Sequence, residues 1–425
     1  MYLRLVLVVA LMLLGPAAGA YGGSGVPTAT GLASAHRSTN GRIQHVVFII
    51  QEGRSFNNLF MGFKGARTEH HGYDANGNKV ELKPLPLAQK WGIDHYAAAY
   101  VTDYDNGKLD GWNNENACCG QPRDFAYSYV QKSDSKKYWD MAEQYVLADD
   151  FFPSNFDGTF ISHQYTIAGY ANDEVNFPDG VWSCQGGPND VIGTFSAGMV
   201  PVCQDYSTLG DELDKASLTW RYYVDAGNGS LYDAYAVIDH IYFGSDYAQD
   251  VVHPPSQFIT DVGNGNLAAV SWVTPTYSNS DDPGNDSASG PGWVASVVNA
   301  VGQSTYWDST AIFIMWDDWG GWFDPVPPVP LDFDGSGFRV PLIGISAYAK
   351  SGYVSHVQYA TSSVLRFIED TFGLGQLAAS DARAADPGPD FFDFNKKPRR
   401  FKAFDATPQR SEDRGRSPRR LFGGN

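Results

Sequence analysis

The sequence predicts an α/β fold with a mostly parallel central sheet, on two observations. Short, continuously apolar runs rich in β-branched residues break off into acidic loops, and helical patterns lie between those runs. The first run, residues 45–50, is His-Val-Val-Phe-Ile-Ile, followed by Gln51-Glu52-Gly53-Arg54-Ser55. A run that is apolar at both parities buries both of its faces, as a strand of a covered parallel sheet does. Residues 311–316 repeat the pattern and stop at Asp317-Asp318, and Val340–Ser346 is the third such run. Helices are expected at residues 137–148, 208–215 and 293–301, with Thr361–Phe372 closing the domain. Alternating strands and helices indicate a doubly wound sheet. Ligands of such sheets bind outside the carboxyl ends of the strands, where Glu52 and Asp317-Asp318 stand.

The two ends of the chain read differently from this middle. Residues 1–20 carry Arg4, an apolar run from Leu5 to Leu14, and then Gly15-Pro16-Ala17-Ala18-Gly19-Ala20, the pattern of a secretory signal peptide cut near Ala20. That run is about ten residues, half of what a membrane span needs. The expectation is therefore a secreted or periplasmic protein with no transmembrane segment. Residues 21–43 are rich in Gly, Ser, Thr and Ala and read as a flexible lead-in, and residues 44–394 as the folded domain. Residues 395–425 are basic and poor in apolar groups, so a disordered extension is expected there, idle or in peripheral contact with an anionic membrane surface.

The formal charge of −18 excludes nucleic acid as a general partner, because so acidic a chain repels phosphate backbones. An anionic substrate calls for a metal ion or a focused arginine. Four cysteines in an exported chain read first as disulfide candidates. Cys184 and Cys203 bracket a Gly/Pro-rich loop and form the favoured pair, while adjacent Cys118 and Cys119 have no evident mate.

Carboxylates that follow two buried strands raise one another's pKa unless a cation holds them together. A divalent ion is one remedy; helix capping or loop-start ion pairing is the plainer alternative. The motifs extend the pattern: residues 45–56, Asn106-Gly107-Lys108-Leu109-Asp110-Gly111-Trp112, Asp157-Gly158-Thr159-Phe160-Ile161-Ser162-His163, Trp316-Asp317-Asp318-Trp319-Gly320-Gly321-Trp322-Phe323-Asp324 and Val364-Leu365-Arg366-Phe367-Ile368-Glu369. In this order they resemble the phosphoesterase family of bacterial phospholipases C and acid phosphatases, over residues 45–373. The resemblance implies an alkaline-phosphatase-like three-layer α/β/α sandwich. It implies a divalent metal ion, of unspecified identity, held by Glu52, Asp317 and Asp318, and Thr159 as nucleophile. By the same resemblance His95 contacts the substrate phosphate or protonates the leaving oxygen.

Two further residues come from the local pattern. Arg54 is a candidate clamp for the equatorial phosphate oxygens. His163 lies four residues after Thr159 and shares its face if a helix begins there. His356, just beyond the third apolar run, is a weaker candidate, more in keeping with a surface residue. Trp112, Trp182, Trp319 and Trp322 fit either a choline site built on cation–π contact or the core.

The resemblance also has gaps. The family usually has Asn at the position of Gly53, His at those of Val101 and Asp282, and His at that of Pro325. The expected activity is hydrolysis of a phospholipid or small phosphoester through a phosphothreonyl intermediate. The alternative is a catalytically impaired relative that binds phosphate-bearing ligands or a surface partner.

Overall fold

The computed structural model describes residues 39–114, 121–225, 230–329 and 335–408. The expected signal peptide, most of the lead-in, Cys118, Cys119 and the end of the basic extension lie outside them. The central sheet has nine strands: β1 (His45–Gln51), β2 (Val146–Phe152), β3 (Trp220–Tyr223), β4 (Val251–Val252), β5 (Val270–Val273), β6 (Thr310–Trp316), β7 (Val340–Ser346), β8 (Tyr353–Ser355) and β9 (Tyr359–Ala360). Their order across the sheet is β4-β3-β5-β1-β6-β7-β2-β8, with β9 also pairing β2. Neighbours pair parallel except at β7, which runs antiparallel to both β6 and β2. The carboxyl ends of β1, β2, β5 and β6 therefore open on one rim, together with the amino end of β7.

The strands β1, β6 and β7 match the three apolar runs, and every residue of β6 and β7 is buried. Side chains of opposite parity on β6 show that both faces are covered. Phe313 packs on Phe367 of the helix Thr361–Phe372, 4.9 Å between centroids, while Trp316 packs on Tyr138 of the helix Lys132–Gln144 at 4.8 Å. Helices α1 (Lys132–Gln144) and α3 (Gly290–Gly302) share one side; α2 (Thr159–Ala168) and α4 (Thr361–Phe372) share the other. This is the expected α/β/α arrangement. A second buried cluster, including Ile93, Trp112, Trp319, Trp322, Phe323 and Phe338, roofs the rim beside the acidic loops.

Two expectations are corrected. The helix expected over 137–148 runs from Lys132 to Gln144, and residues 146–148 open β2 instead. The charged pair Asp149-Asp150 hides that strand in the sequence; Asp149 is fully buried, accepting from the Arg67 amide at 2.7 Å and from His356 Nδ1 at 2.8 Å. The basic extension is not loose from residue 395 onwards. Phe401 packs on Trp307 at 4.9 Å, the Arg399 guanidinium covers Tyr145 at 3.7 Å, and the Phe404 amide donates to Asn299 Oδ1 at 2.9 Å. Aromatic anchors outweigh the basic composition as far as residue 408. Cys184 and Cys203 form the expected disulfide.

Candidate active site

The rim loops are stapled before any ligand enters. Asp317 N–H donates to the Gln51 carbonyl at 2.9 Å and the Arg54 amide donates to the Asp318 carbonyl at 3.0 Å, carrying the contact between β1 and β6 into the loops that follow them. Gly53 N–H donates to Asp317 Oδ1 at 2.8 Å. At Gly53 φ is +54°, in the left-handed region that glycine enters without penalty. Beneath these loops Arg339, at the amino end of β7 and fully buried, donates to both oxygens of Asp324 at 3.1 and 3.3 Å through Nε and to the Asp149 carbonyl at 2.7 Å. Asp324 Oδ2 also accepts from the Asn57 amide at 3.0 Å, so one ion pair ties the loop after β6 to the loop after β1.

On this frame Glu52, His163 and Asp317 converge. All three are fully buried, and one donor atom of each lies within 4.8 Å of the others. His163 reaches the rim because α2 begins at Thr159, as the four-residue spacing requires. Its tautomer follows from its neighbours. Tyr222 Oη donates to the Tyr232 carbonyl at 2.6 Å, so its oxygen accepts from His163 Nδ1–H at 3.3 Å. The lone pair of Nε2 then faces Glu52, 3.1 Å from Oε1 and 3.3 Å from Oε2. Burial, and next to it Asp317, pushes the Glu52 carboxyl well above its ordinary range, while burial holds His163 down to about 4. Burial thus favours the neutral form of both Glu52 and His163.

The residues fit a divalent cation. Asp317 Oδ2 is buried with no hydrogen-bond partner, and a ring nitrogen with two carboxylates is a transition-metal donor set. The set differs from the one expected: His163 joins it, whereas Asp318 turns to other partners. Asp318 Oδ1 accepts from the Gly320 amide at 2.7 Å, and Oδ2 accepts from the Thr159 hydroxyl at 3.3 Å.

Thr159 is the first residue of α2, whose opening amides face the same rim. Gly158 before it has no room for a side chain, since an added Cβ would lie 2.9 Å from the Tyr96 ring. His95 stands opposite. Its Nδ1 donates to the Ile93 carbonyl at 2.7 Å, leaving Nε2 pointed at Asp318 Oδ2, 3.9 Å away. Burial opposes a charge on His95, but Asp318 and Asp282 outweigh it and raise the ring to about 9.

Arg54 is not placed as a phosphate clamp. Its guanidinium is buried, donating to the carbonyls of Asp281 at 2.6 Å and Leu87 at 2.9 Å and to Asn58 Oδ1 at 3.3 Å, with its carbon 4.8 Å from the Trp322 ring centre. It positions loops instead. His356 pairs with Asp149 and is a surface residue. Trp112, Trp319 and Trp322 belong to the roofing core, and Trp182 packs on Phe160 and Phe177 beside the helix that starts at Thr159. Sequence reasoning missed Tyr222, Arg339 and Asp324 as positioning residues; a lone tyrosine in a strand carries no signal before its contacts are known.

The non-hemolytic phospholipase C of Burkholderia pseudomallei is 23% identical over 404 residues, 78% of this chain and 55% of that protein. The hemolytic phospholipase C of Pseudomonas aeruginosa is 25% identical over 426 residues, 83% of this chain and 56% of that protein. The chain thus spans little more than half the length of these relatives. A solved protein of the alkaline phosphatase superfamily from Vibrio parahaemolyticus aligns with a TM-score of 0.39 at 8% identity, covering 81% of this chain and 71% of that one. The model of the Phosphoesterase family matches residues 43–375, nearly all of the folded domain, and the chain belongs to that family.

Proposed function

We propose that the chain is a metal-dependent phosphoric ester hydrolase with Thr159 as nucleophile. The observation that supports this best is the 3.3 Å hydrogen bond from the Thr159 hydroxyl to Asp318, beside the cluster of Glu52, His163 and Asp317. When bound, the divalent cation neutralises carboxylate charge and stabilises negative charge on the phosphoryl group. Glu52, His163 and Asp317 would hold it. The chain's own residues supply the rest. Asp318 Oδ2 accepts the Thr159 proton as Oγ1 attacks phosphorus, the amides that open α2 receive the equatorial oxygens, and His95 protonates the leaving oxygen through Nε2. The bond from phosphorus to the leaving oxygen breaks as the bond to Oγ1 forms. Water then attacks phosphorus and gives its proton to His95 Nε2, and the bond from phosphorus to Oγ1 breaks as Asp318 returns its proton to Thr159.

The substrate proposed is a phospholipid head group or small phosphoester, and the phospholipase C relatives favour the phosphodiester. Export by residues 1–20 accords with the disulfide, which persists in oxidising compartments. Among the described residues no helix is long and apolar enough to cross a membrane. The test is release of p-nitrophenol from p-nitrophenyl phosphorylcholine and from p-nitrophenyl phosphate by the purified chain, with and without a chelator. Thr159→Ala is expected to lower kcat by at least about 10³-fold with the fold intact, comparable to losing one group of a catalytic constellation. Undiminished turnover by that variant removes Thr159 from the mechanism. The second reading, phosphate binding without turnover, draws on Gly53, Val101, Asp282 and Pro325, none of which supplies the amide or imidazole expected there. Calorimetric binding of a phosphomonoester with no product at any pH or metal supports it.

A further inference from the structure

We infer that Asp282, in the loop after β5, supplies an additional carboxylate to the cation held by Glu52, His163 and Asp317, in the space left open by Gly53. The inference rests on the proposed cation site and names a residue of it. Two carboxylates meet at Gly53: its amide donates to Asp317 Oδ1 at 2.8 Å, and a Cβ added to it would lie 2.9 Å from Asp282 Oδ1 and 2.6 Å from Pro283 Cδ. Glycine is thus the residue that lets the Asp282 loop close on the loop after β1. Asp282 Oδ1 is shut off from solvent and has no hydrogen-bond partner, and Asp317 Oδ2 is in the same condition.

Two orphaned carboxylate oxygens flanking one glycine are costly to bury, because each lacks the donors that ordinarily satisfy such an atom. A loop-capping role does not account for Asp282. Its backbone carbonyl, not its side chain, accepts the Asn285 amide at 3.1 Å, and its own amide is turned to Ser280 Oγ at 3.4 Å. The groups around it are nevertheless mixed in sign: Glu52 and Asp317 repel it, while His95 and Arg54 attract it. His95 donates through Nδ1 to Ile93 and Arg54 donates to Asp281, Leu87 and Asn58, and neither bonds Oδ1. A cation at the open side of the trio would give both oxygens a partner. Affinity of such sites rises with the number of charged ligands.

The test is calorimetric titration of the full chain with Mn²⁺ alone, after chelator treatment, comparing the native chain with Asp282→Asn, Asp282→Ser and Asp317→Asn. Thermal melts in chelator establish that each variant folds, Asp282→Asn being isosteric with the native side chain. The expected result is a ten- to hundredfold weaker Mn²⁺ affinity for both Asp282 variants, with the stoichiometry kept, and a larger loss for Asp317→Asn. Native affinity in Asp282→Asn and Asp282→Ser, alongside a clear loss in Asp317→Asn, overturns the role of Asp282 and leaves the cation site standing. Absence of Mn²⁺ binding by the native chain, or indifference to Asp317→Asn, overturns the cation site itself and the role of Asp282 with it.

Discussion

Glu174, away from the acidic rim, offers a measurement of what a buried carboxyl does to this fold. It opens the strand Glu174–Asp179 and is 1% exposed. Its Oε2 accepts from Gln164 Nε2 at 2.9 Å, while Oε1 has no partner. Burial pushes the carboxyl up to about 8 from 4.5, since one hydrogen bond does not replace the lost hydration. The folded-state value lies above the unfolded one, so the contribution to stability is fully present below about pH 4.5. It is lost as pH rises through about 8. The difference of 3.5 units, at about 1.36 kcal/mol each, makes the full loss roughly 5 kcal/mol. Glu174→Gln keeps an acceptor for Gln164 and cannot ionise. Urea denaturation of both proteins between pH 5 and 9, in chelator, isolates this group because other titrations cancel in the difference. The variant should match the native chain within about 1 kcal/mol at pH 5 and exceed it by several kcal/mol at pH 9. A difference that stays flat across that range refutes the reasoning.

Three further outcomes are expected. Gly53→Asn should lower stability by about 1–3 kcal/mol in the same assay, because its Cβ meets Pro283 Cδ at 2.6 Å even though Asn tolerates the positive φ. Asp324→Ala should lose about 3–5 kcal/mol by leaving Arg339 buried and unpaired, and Asp324→Leu combined with Arg339→Met should be closer to the native chain than either single change. Cys184→Ser with Cys203→Ser should lower stability by about 3 kcal/mol, the closure entropy of a loop of 19 residues, read as a drop in the urea midpoint.

The apolar runs made β1, β6 and β7 legible, because a strand covered on both faces needs hydrophobic residues at both parities. β2 was not, since Asp149 and Asp150 interrupt its run and their burial depends on partners as distant in sequence as His356. The direction of β7 was not legible either: its composition is that of a parallel strand, and only pairing with β6 and β2 reveals the reversal. In the site, Glu52 and Asp317 were candidates because acids directly after buried strands stand at the sheet rim, whereas Thr159 was a candidate through the motif resemblance alone. Arg54 was misread. An arginine next to a metal-ligand motif has the right chemistry for phosphate, yet nothing in the sequence says that two backbone carbonyls and Asn58 will take its donors.

The reversed strand also explains how a rim so acidic holds together. A parallel β7 would deliver its carboxyl end, and another loop, to the edge where Glu52 and Asp317 already stand. Running the other way, it brings Arg339 to that edge at the first step of the strand, where the side chain is buried against Asp324 and the Asp149 carbonyl and its carbon lies 4.4 Å from the Phe56 ring centre. The Arg339 carbonyl in turn accepts the Phe56 amide at 2.8 Å. Arg339 therefore fixes the loops that carry Glu52 and Asp317 without entering their cluster, and on the proposed mechanism the positive charge facing the substrate falls to His95 and the cation. On that division of labour Arg339→Met should weaken Mn²⁺ binding only through the displacement of Glu52 and Asp317. A conservative repair of the loop contact, Asp324→Leu on the Arg339→Met background, should then recover metal affinity and stability together; recovery of stability alone would mean that Arg339 acts on the cation site by charge rather than by position.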